Sequence, residues 1–254
     1  MKLTDLKEPM TMYSRRTQSG MQIIKVSLPR WEHLQAYHFP YRTWAVVTMQ
    51  APDSDGFPID MERKMLDQAE AELVSRLPKD GTVAYMGSIT HAGQIALVIH
   101  SVAAGLFQIP ESGRVRGSHY VWDVYNAEDA QYEFLQLKLI PTLKEQRRIR
   151  DAEVLAALAN ARDNDAVPRP LTFYGLFPDQ PSADAAGEYL AQAGFRVKPA
   201  SEMPGNKRYP WSLMLQKTSQ TDAVSIENVS SLAGETITHY GGIYDGWSCE
   251  PVPM

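Results

Sequence analysis

Apolar side chains along the chain recur with two different periods, and the switches between them mark its elements. Residues 42–50 (RTWAVVTMQ) are rich in β-branched and aromatic residues and predict a buried strand. A turn cluster, Pro52 to Gly56, follows. From Asp60 to Leu77 the spacing changes: Met61, Met65, Leu66, Ala69, Leu73, Val74 and Leu77 form one stripe on a helix, which Pro78 and Gly81 close. Residues 82–89 (TVAYMGSI) and 94–100 (QIALVIH) then predict two strands. His91, Ala92 and Gly93 form the hairpin turn between them, with Gly93 free to take positive φ. Residues 120–125 (YVWDVY) predict another strand, while residues 1–40 hold only short β-like runs broken by Pro9, Pro29 and Pro40. This order implies an α+β domain with a mainly antiparallel sheet.

A long polar helix is expected from Pro141 to about Arg162, with Ile149, Val154, Leu155 and Leu158 as a weak apolar stripe. Residues 164–170 (NDAVPRP) read as a linker, and the domain boundary is placed there. The expected division is an N-terminal domain over 1–143, a helical connector and linker over 144–167, and a second domain over 168–254. In that domain residues 171–177 (LTFYGLF) predict a strand. Ser182 is the expected N-cap of a helix striped by Ala186, Leu190 and Ala193, and Gly194 is its C′ residue. Residues 195–198 and 211–217 alternate as strands. Asp222 caps a second helix through Ile226, Val229, Ala233 and Ile237, and the chain closes on residues 240–252 (YGGIYDGWSCEPV). The order β-α-β-β-α-β is the ferredoxin-like pattern, with two helices on one face of the sheet.

Composition narrows the function classes. The 254 residues carry 44% apolar and 22% charged side chains and a net charge of −5, so no basic footprint for nucleic acid stands out. The one basic run, residues 144–150 (KEQRRIR), reads as a solvated helix face. A single cysteine, Cys249, rules out an intramolecular disulfide framework and a multi-thiolate zinc site. The opening MKLTDLKEP mixes charges and lacks the apolar core of a signal peptide, and no apolar run reaches the roughly 18 residues of a membrane span. A cytoplasmic protein is the expectation.

Candidate chemistry is sparse. The six histidines include no His-Glu-x-x-His; His91, His100 and His119 are the only grouping that strand pairing brings near a common site, and ordinary hydrogen-bonded histidines explain them better than a metal. Cys249 and His239 flank the last strand, whose length separates them too far for a nucleophile–base pair, so the cysteine reads as a small packed hydrophobe. Asp53, Asp55 and Asp60 lack the terminal acid of a calcium loop, and no glycine-rich phosphate loop occurs. No catalytic residue, metal or cofactor is assigned.

The closing stretch carries more information. Its Tyr244, Asp245, Gly246 and Trp247, at the end of the β-α-β-β-α-β order, resemble the Tyr-Asp-Gly-Trp motif of the regulator of ribonuclease E activity B family over about residues 170–252. Residues 12–143 resemble a bacterial domain of unknown function often fused ahead of that module. The features are the strand ending at Gln50, Ala51 and Pro52 before Gly56, Phe57 and Pro58, then the helix, then the 122–125 strand leading toward Pro141. The resemblance implies a non-catalytic protein-binding module that modulates an endoribonuclease in RNA turnover, with Tyr244, Asp245, Gly246 and Trp247 as its binding residues. It also implies a strongly acidic tail, whereas the stretch from Pro168 onward has nine acids against six Lys/Arg. Within the motif, Asp245 and Gly246 predict a bulge, with Gly246 at an unusual backbone angle, Asp245 bonded to nearby amides, and Trp247 packed on a helix or the other domain. The alternative reading is an enzyme or small-ligand-binding protein using Tyr244, Asp245, Trp247, His91 and His119 between the domains. Base stacking on a ferredoxin-like sheet ranks last, because the RNP-type signature is missing.

Overall fold

The computed structural model describes residues 9–106 and 113–253; residues 1–8, where the absence of a leader was read, lie outside them. The chain divides into two compact units, Met1–Pro141 and Thr142–Met254. In the first, β1 (Thr11–Thr17) and β2 (Gly20–Val26) form a hairpin, followed by α1 (Leu28–Ala36) and β3 (Tyr41–Thr48). Then come α2 (Asp60–Ser75), β4 (Val83–His91), β5 (Gln94–Ser101), β6 (Arg114–Arg116), β7 (Val121–Glu128) and α3 (Glu133–Lys138). Among the described residues, the strands make one antiparallel sheet in the order β1-β2-β4-β5-β3-β7-β6.

The expected stripe of α2 is the one that packs: Leu66, Ala69, Leu73 and Val74 lie in one core with Ala45, Val47, Tyr85, Leu97, Ile99, Trp122 and Val124. Met61 is instead exposed, while its neighbour Glu62 in the first turn is the buried residue. The expected turn closes β4 onto β5, with Ala92 (φ 47°) and Gly93 (φ 75°) both left-handed, as a two-residue hairpin turn matched to strand twist requires. The β1–β2 hairpin and α1 are absent from the sequence expectation. Helix α1 buries only Leu34 among its apolar side chains, and Ser27 caps it by accepting from the Arg30 amide. Its hold on the sheet is polar: the buried Arg30 guanidinium donates to the Tyr85 carbonyl at 2.7 Å.

The second unit begins with α4 (Leu143–Asn160), capped by Thr142 and Glu145 in a reciprocal capping box. There follow β8 (Arg169–Phe177), α5 (Gln180–Gln192), β9 (Arg196–Val197), β10 (Ser201–Glu202), β11 (Trp211–Ser219), α6 (Ala223–His239) and β12 (Ile243–Ser248). The sheet is antiparallel in the order β10-β11-β8-β12, with β9 also on β11. Leu171, Phe173, Phe177, Leu213 and Leu215 face a core shared with α4, α5 and α6, so three helices rather than two cover that side. The opposite side carries Thr172, Tyr174, Leu176, Ser212, Met214 and Gln216, all half-buried and none in that core.

Two local expectations change. The division falls at Pro141/Thr142, not at residues 164–170, because α4 packs against α6 and β12 and so is part of the second unit. Residues 164–170 are bound into that unit as well: buried Arg169 pairs with Asp163 and donates to Thr221 Oγ1 at 2.9 Å. The N-cap of α5 is Asp179, three residues before Ser182, and its carboxylate accepts from the Ser182 amide at 2.9 Å. Gly194 does occupy C′ (φ 83°), with the Phe195 amide reaching back to the Leu190 carbonyl.

Helix α4 ends in the same Schellman geometry, the Asp163 amide donating to Leu158 O at 3.1 Å, yet its left-handed C′ residue is Arg162 (φ 55°). Arg162 is exposed, so only its backbone conformation matters there. Arg162→Gly is expected to raise stability by about 0.5–1 kcal/mol in urea denaturation, because glycine carries no Cβ penalty in this conformation.

Candidate functional site

The closing motif is built by a helix end, a bulge and a buried carboxylate. Helix α6 stops in a Schellman turn: the Gly241 amide donates to Thr238 O and the Gly242 amide to Ile237 O, with Gly241 left-handed (φ 78°). A Cβ on Gly242 would stand 2.7 Å from the Phe177 ring, so the chain enters β12 through a gap only glycine fills. Strand β12 then pairs with β8, and its register slips between Tyr244 and Gly246, opposite Gly175 and Tyr174. The expected bulge is present, and Gly246 takes φ 101°.

The bulge re-aims two side chains inward. Tyr244 and Trp247 are both buried, whereas alternation in a regular strand would place residues three apart on opposite faces. The Trp247 indole donates to Asp151 Oδ1 at 2.9 Å, which answers the expected helix partner with α4. Ser230 Oγ of α6 donates to the other Asp151 oxygen at 2.6 Å. One carboxylate therefore joins α4, α6 and β12. Burial raises the Asp151 pKa above the ordinary aspartate range, against the opposing pull of Ser230, Trp247 and Arg147. Tyr244 sits beside it, its carbonyl accepting from Arg150 at 3.0 Å. Its hydroxyl is buried without a hydrogen-bond partner among the described residues, and burial, with the Asp151 charge second, pushes its pKa up.

Asp245 differs from its expectation: the bulge turns it outward, and it bonds no amide among the described residues, where the preceding pattern placed it against the backbone. The basic run is corrected in part. Arg148 is exposed and holds Glu227 with a fork of bonds at 2.8–3.0 Å, but Arg147 is only 5% exposed. It lies where α4 crosses α6, its Nη2 donating to Ser231 Oγ at 2.5 Å. Helical spacing puts residues 147 and 151 on one face, and that face is the buried one.

The other candidates do not converge. His91 closes the β4–β5 hairpin and bonds Met21 O at 3.0 Å, while His100 sits at the far end of β5, buried against Phe39 O at 3.1 Å. His100 Nε2 is 3.7 Å from Asp129, and burial lowers the His100 pKa. His119 is exposed beside Tyr120. The Tyr120 hydroxyl donates to Glu62 at 3.1 Å, and burial with that contact raises its pKa to about 12. Glu62 also accepts from the Gln50 and Ala51 amides, so this carboxylate organises the turn after β3. Asp53 is an Asx turn, accepting from the Asp55 and Phe57 amides at 3.0 and 2.7 Å. His239 and Cys249 lie at opposite ends of β12, and Cys249 is half-buried against the core. Among the described residues no group of three His, Cys, Asp or Glu side chains is placed to hold a metal.

A cavity of about 480 Å³ opens between α4, α6 and β12, with Lys144, Arg147, Arg150, Gly234, Ile243 and Tyr244 in its walls. The sequence pattern missed it, because its walls come from two helices and a strand that only packing brings together.

Residues 148–249 match the model of the family Regulator of ribonuclease activity B. Residues 11–136 match a family of unknown function (DUF695). No curated protein matches the chain. The C-terminal match runs from Arg148 in α4 past the end of β12, so it spans the Asp151–Trp247 contact and the bulge. Helix α4 is thus part of what resembles that family. No helix among the described residues is long and apolar enough to cross a membrane.

Two measurements check this construction. Gly246→Ala is expected to cost about 1 kcal/mol or more from the left-handed backbone alone, since a Cβ there meets nothing within 4 Å. An unchanged melting temperature would contradict that strain. Asp151→Ala is expected to cost about 2–3 kcal/mol by stranding the Trp247 and Ser230 donors, with Asp151→Asn milder because it keeps an acceptor. Because its folded pKa is raised, the stability contributed by protonated Asp151 is complete below the ordinary aspartate range and is lost as pH rises through the raised value. Asp151→Asn should flatten that part of the urea stability–pH curve.

Proposed function

We propose that the protein is a non-catalytic cytoplasmic interaction protein whose C-terminal unit binds and modulates an endoribonuclease. The observation that carries this reading is the match of residues 148–249 to Regulator of ribonuclease activity B. We read the unit as ferredoxin-like: the strands lie in the order last, first, third, second, the second being split into β9 and β10. The helices cover one face, and the other presents Tyr174, Leu176 and Met214. That face and the adjoining β12 supply the contact surface in this reading.

Within the motif, the four residues take different parts. Tyr244, Gly246 and Trp247 are buried and hold β12 in place, so they act on a partner by shaping the surface. Asp245 is exposed on β12 beside exposed Ile243, and it is the motif position available to touch a partner. A charge at the edge of an interface tunes association and its salt dependence more than it anchors the complex.

The test is direct. Purified full chain added to an endoribonuclease of the ribonuclease E class is expected to co-elute with it and to slow cleavage of a structured RNA. Asp245→Arg is expected to weaken the complex about fivefold, mainly through the association rate. No complex by sedimentation, together with unchanged cleavage, would overturn the reading.

A further inference from the structure

The cavity between α4, α6 and β12 has an electrostatic character opposite to that of the chain around it. The chain carries a net charge of −5. The ionisable walls of the cavity nevertheless comprise Lys144, Arg147, Arg150, His239 and Tyr244 against one acid, Glu235. Leu143 and Ile243, both largely exposed, add an apolar rim. A volume of about 480 Å³ lies within the range of small-molecule sites rather than of surface dimples.

Two wall residues each carry one buried polar atom without a hydrogen-bond partner among the described residues. Arg147 is 5% exposed and its Nε makes no hydrogen bond; Tyr244 is 8% exposed and its hydroxyl makes none. Both side chains pack around Gly234: a Cβ built there would stand 3.1 Å from Arg147 Cδ and 3.4 Å from Tyr244 Cγ and Cδ1. The aliphatic stem of one and the near ring edge of the other therefore form the wall, while the two orphaned atoms lie out of reach of solvent. Arg147 has Glu227 and Glu235 each at 3.7 Å and donates to Ser231 Oγ, whereas Lys144 and Arg150 form no ion pair among the described residues. A cavity walled by cations that lack a carboxylate partner favours an anion over a neutral occupant.

We infer that this cavity binds a small organic anion, an acidic headgroup attached to a compact apolar body. The headgroup pairs with Lys144 and Arg150, and the body lies along Leu143 and Ile243. A planar carboxylate and a phosphate monoester both meet this chemistry, since guanidinium pairs with either. The cavity shares Ile243 with the contact surface proposed above, but its ligand is tested without a protein partner.

The experiment titrates the full chain with sodium benzoate, phenyl phosphate and neutral benzyl alcohol. Ionic strength is held constant at pH 7, and the amide resonances of Gly234 and Gly242 are followed by NMR. At least one anion is expected to shift both amides saturably in the millimolar range, with benzyl alcohol weaker by about fivefold or more. The stronger of the two anions identifies the headgroup as carboxylate or phosphate. Lys144→Gln, an exposed change that leaves the core intact, is expected to weaken the anion about threefold; Glu235→Gln, which removes the wall's acid, is expected to strengthen it about twofold. Equal binding of benzyl alcohol would overturn the inference, as would no saturable shift with either anion or identical affinities in both variants. Because no ribonuclease is present, none of these outcomes bears on the proposed protein partner.

Discussion

The second unit depends on the buried carboxylate of Asp151. It comes from the middle of α4, takes the indole N–H of Trp247 on β12 and the hydroxyl of Ser230 on α6, and so ties the first helix, the last helix and the last strand at one point. Burying a carboxylate is costly unless its oxygens are used, and here both accept a hydrogen bond. Its raised pKa records the remaining cost. Without this contact α4 would have little to hold it: its apolar stripe is weak, and Leu158 is the only apolar side chain on it that is fully buried. The polar run before it does the rest, with Arg147 laid into the α4–α6 crossing and Arg148 clasping Glu227 at its edge.

The bulge in β12 serves the same contact. A regular strand would send Tyr244 and Trp247 to opposite faces, and only the extra residue at Asp245–Gly246 lets both point at the helices. Gly246 carries the backbone angle this requires and Asp245 is turned to solvent as a consequence. A buried ion pair, Arg169 with Asp163, works in parallel in the same unit. Burial opposes the Asp163 charge, but the Val252 amide, Arg169 and Thr221 outweigh it and hold the carboxyl below its ordinary range. That cluster fastens the segment after α4 to the chain beyond β12. The same economy appears in the first unit, where Glu62 and Glu70 each bind a buried tyrosine hydroxyl, from Tyr120 and Tyr85.

Much of this architecture was legible in order and kind. The α2 stripe, the β4–β5 hairpin with its left-handed Gly93, the Asp222 cap and the Gly194 terminus all follow from local chemistry, and the structure places them there. The Tyr244–Trp247 motif and its bulge were legible for the same reason, since Asp-Gly inside a strand pattern signals a special backbone. What local chemistry did not reveal was partnership. Helix α1 is nine residues long with Leu34 its one buried apolar side chain, and its anchor is an arginine that bonds a strand distant in sequence. Asp179 outcompeted Ser182 as the α5 cap because Pro181 suits the first turn of the helix, which moves the start upstream.

The amino-acid sequence by itself determined the alternation of strands and helices in each half, the turns and caps between them, and the special geometry of the last strand. These are set within a few residues, where side-chain period and backbone preference act directly. Only the tertiary structure decided that α4 is part of the C-terminal unit and that Arg147 and Asp151 are buried. It alone formed a cationic cavity beside the motif. Those outcomes depend on residues about 80 to 100 positions apart meeting across packed faces, and a polar side chain on a helix looks the same in sequence whether its partner is water or a buried indole.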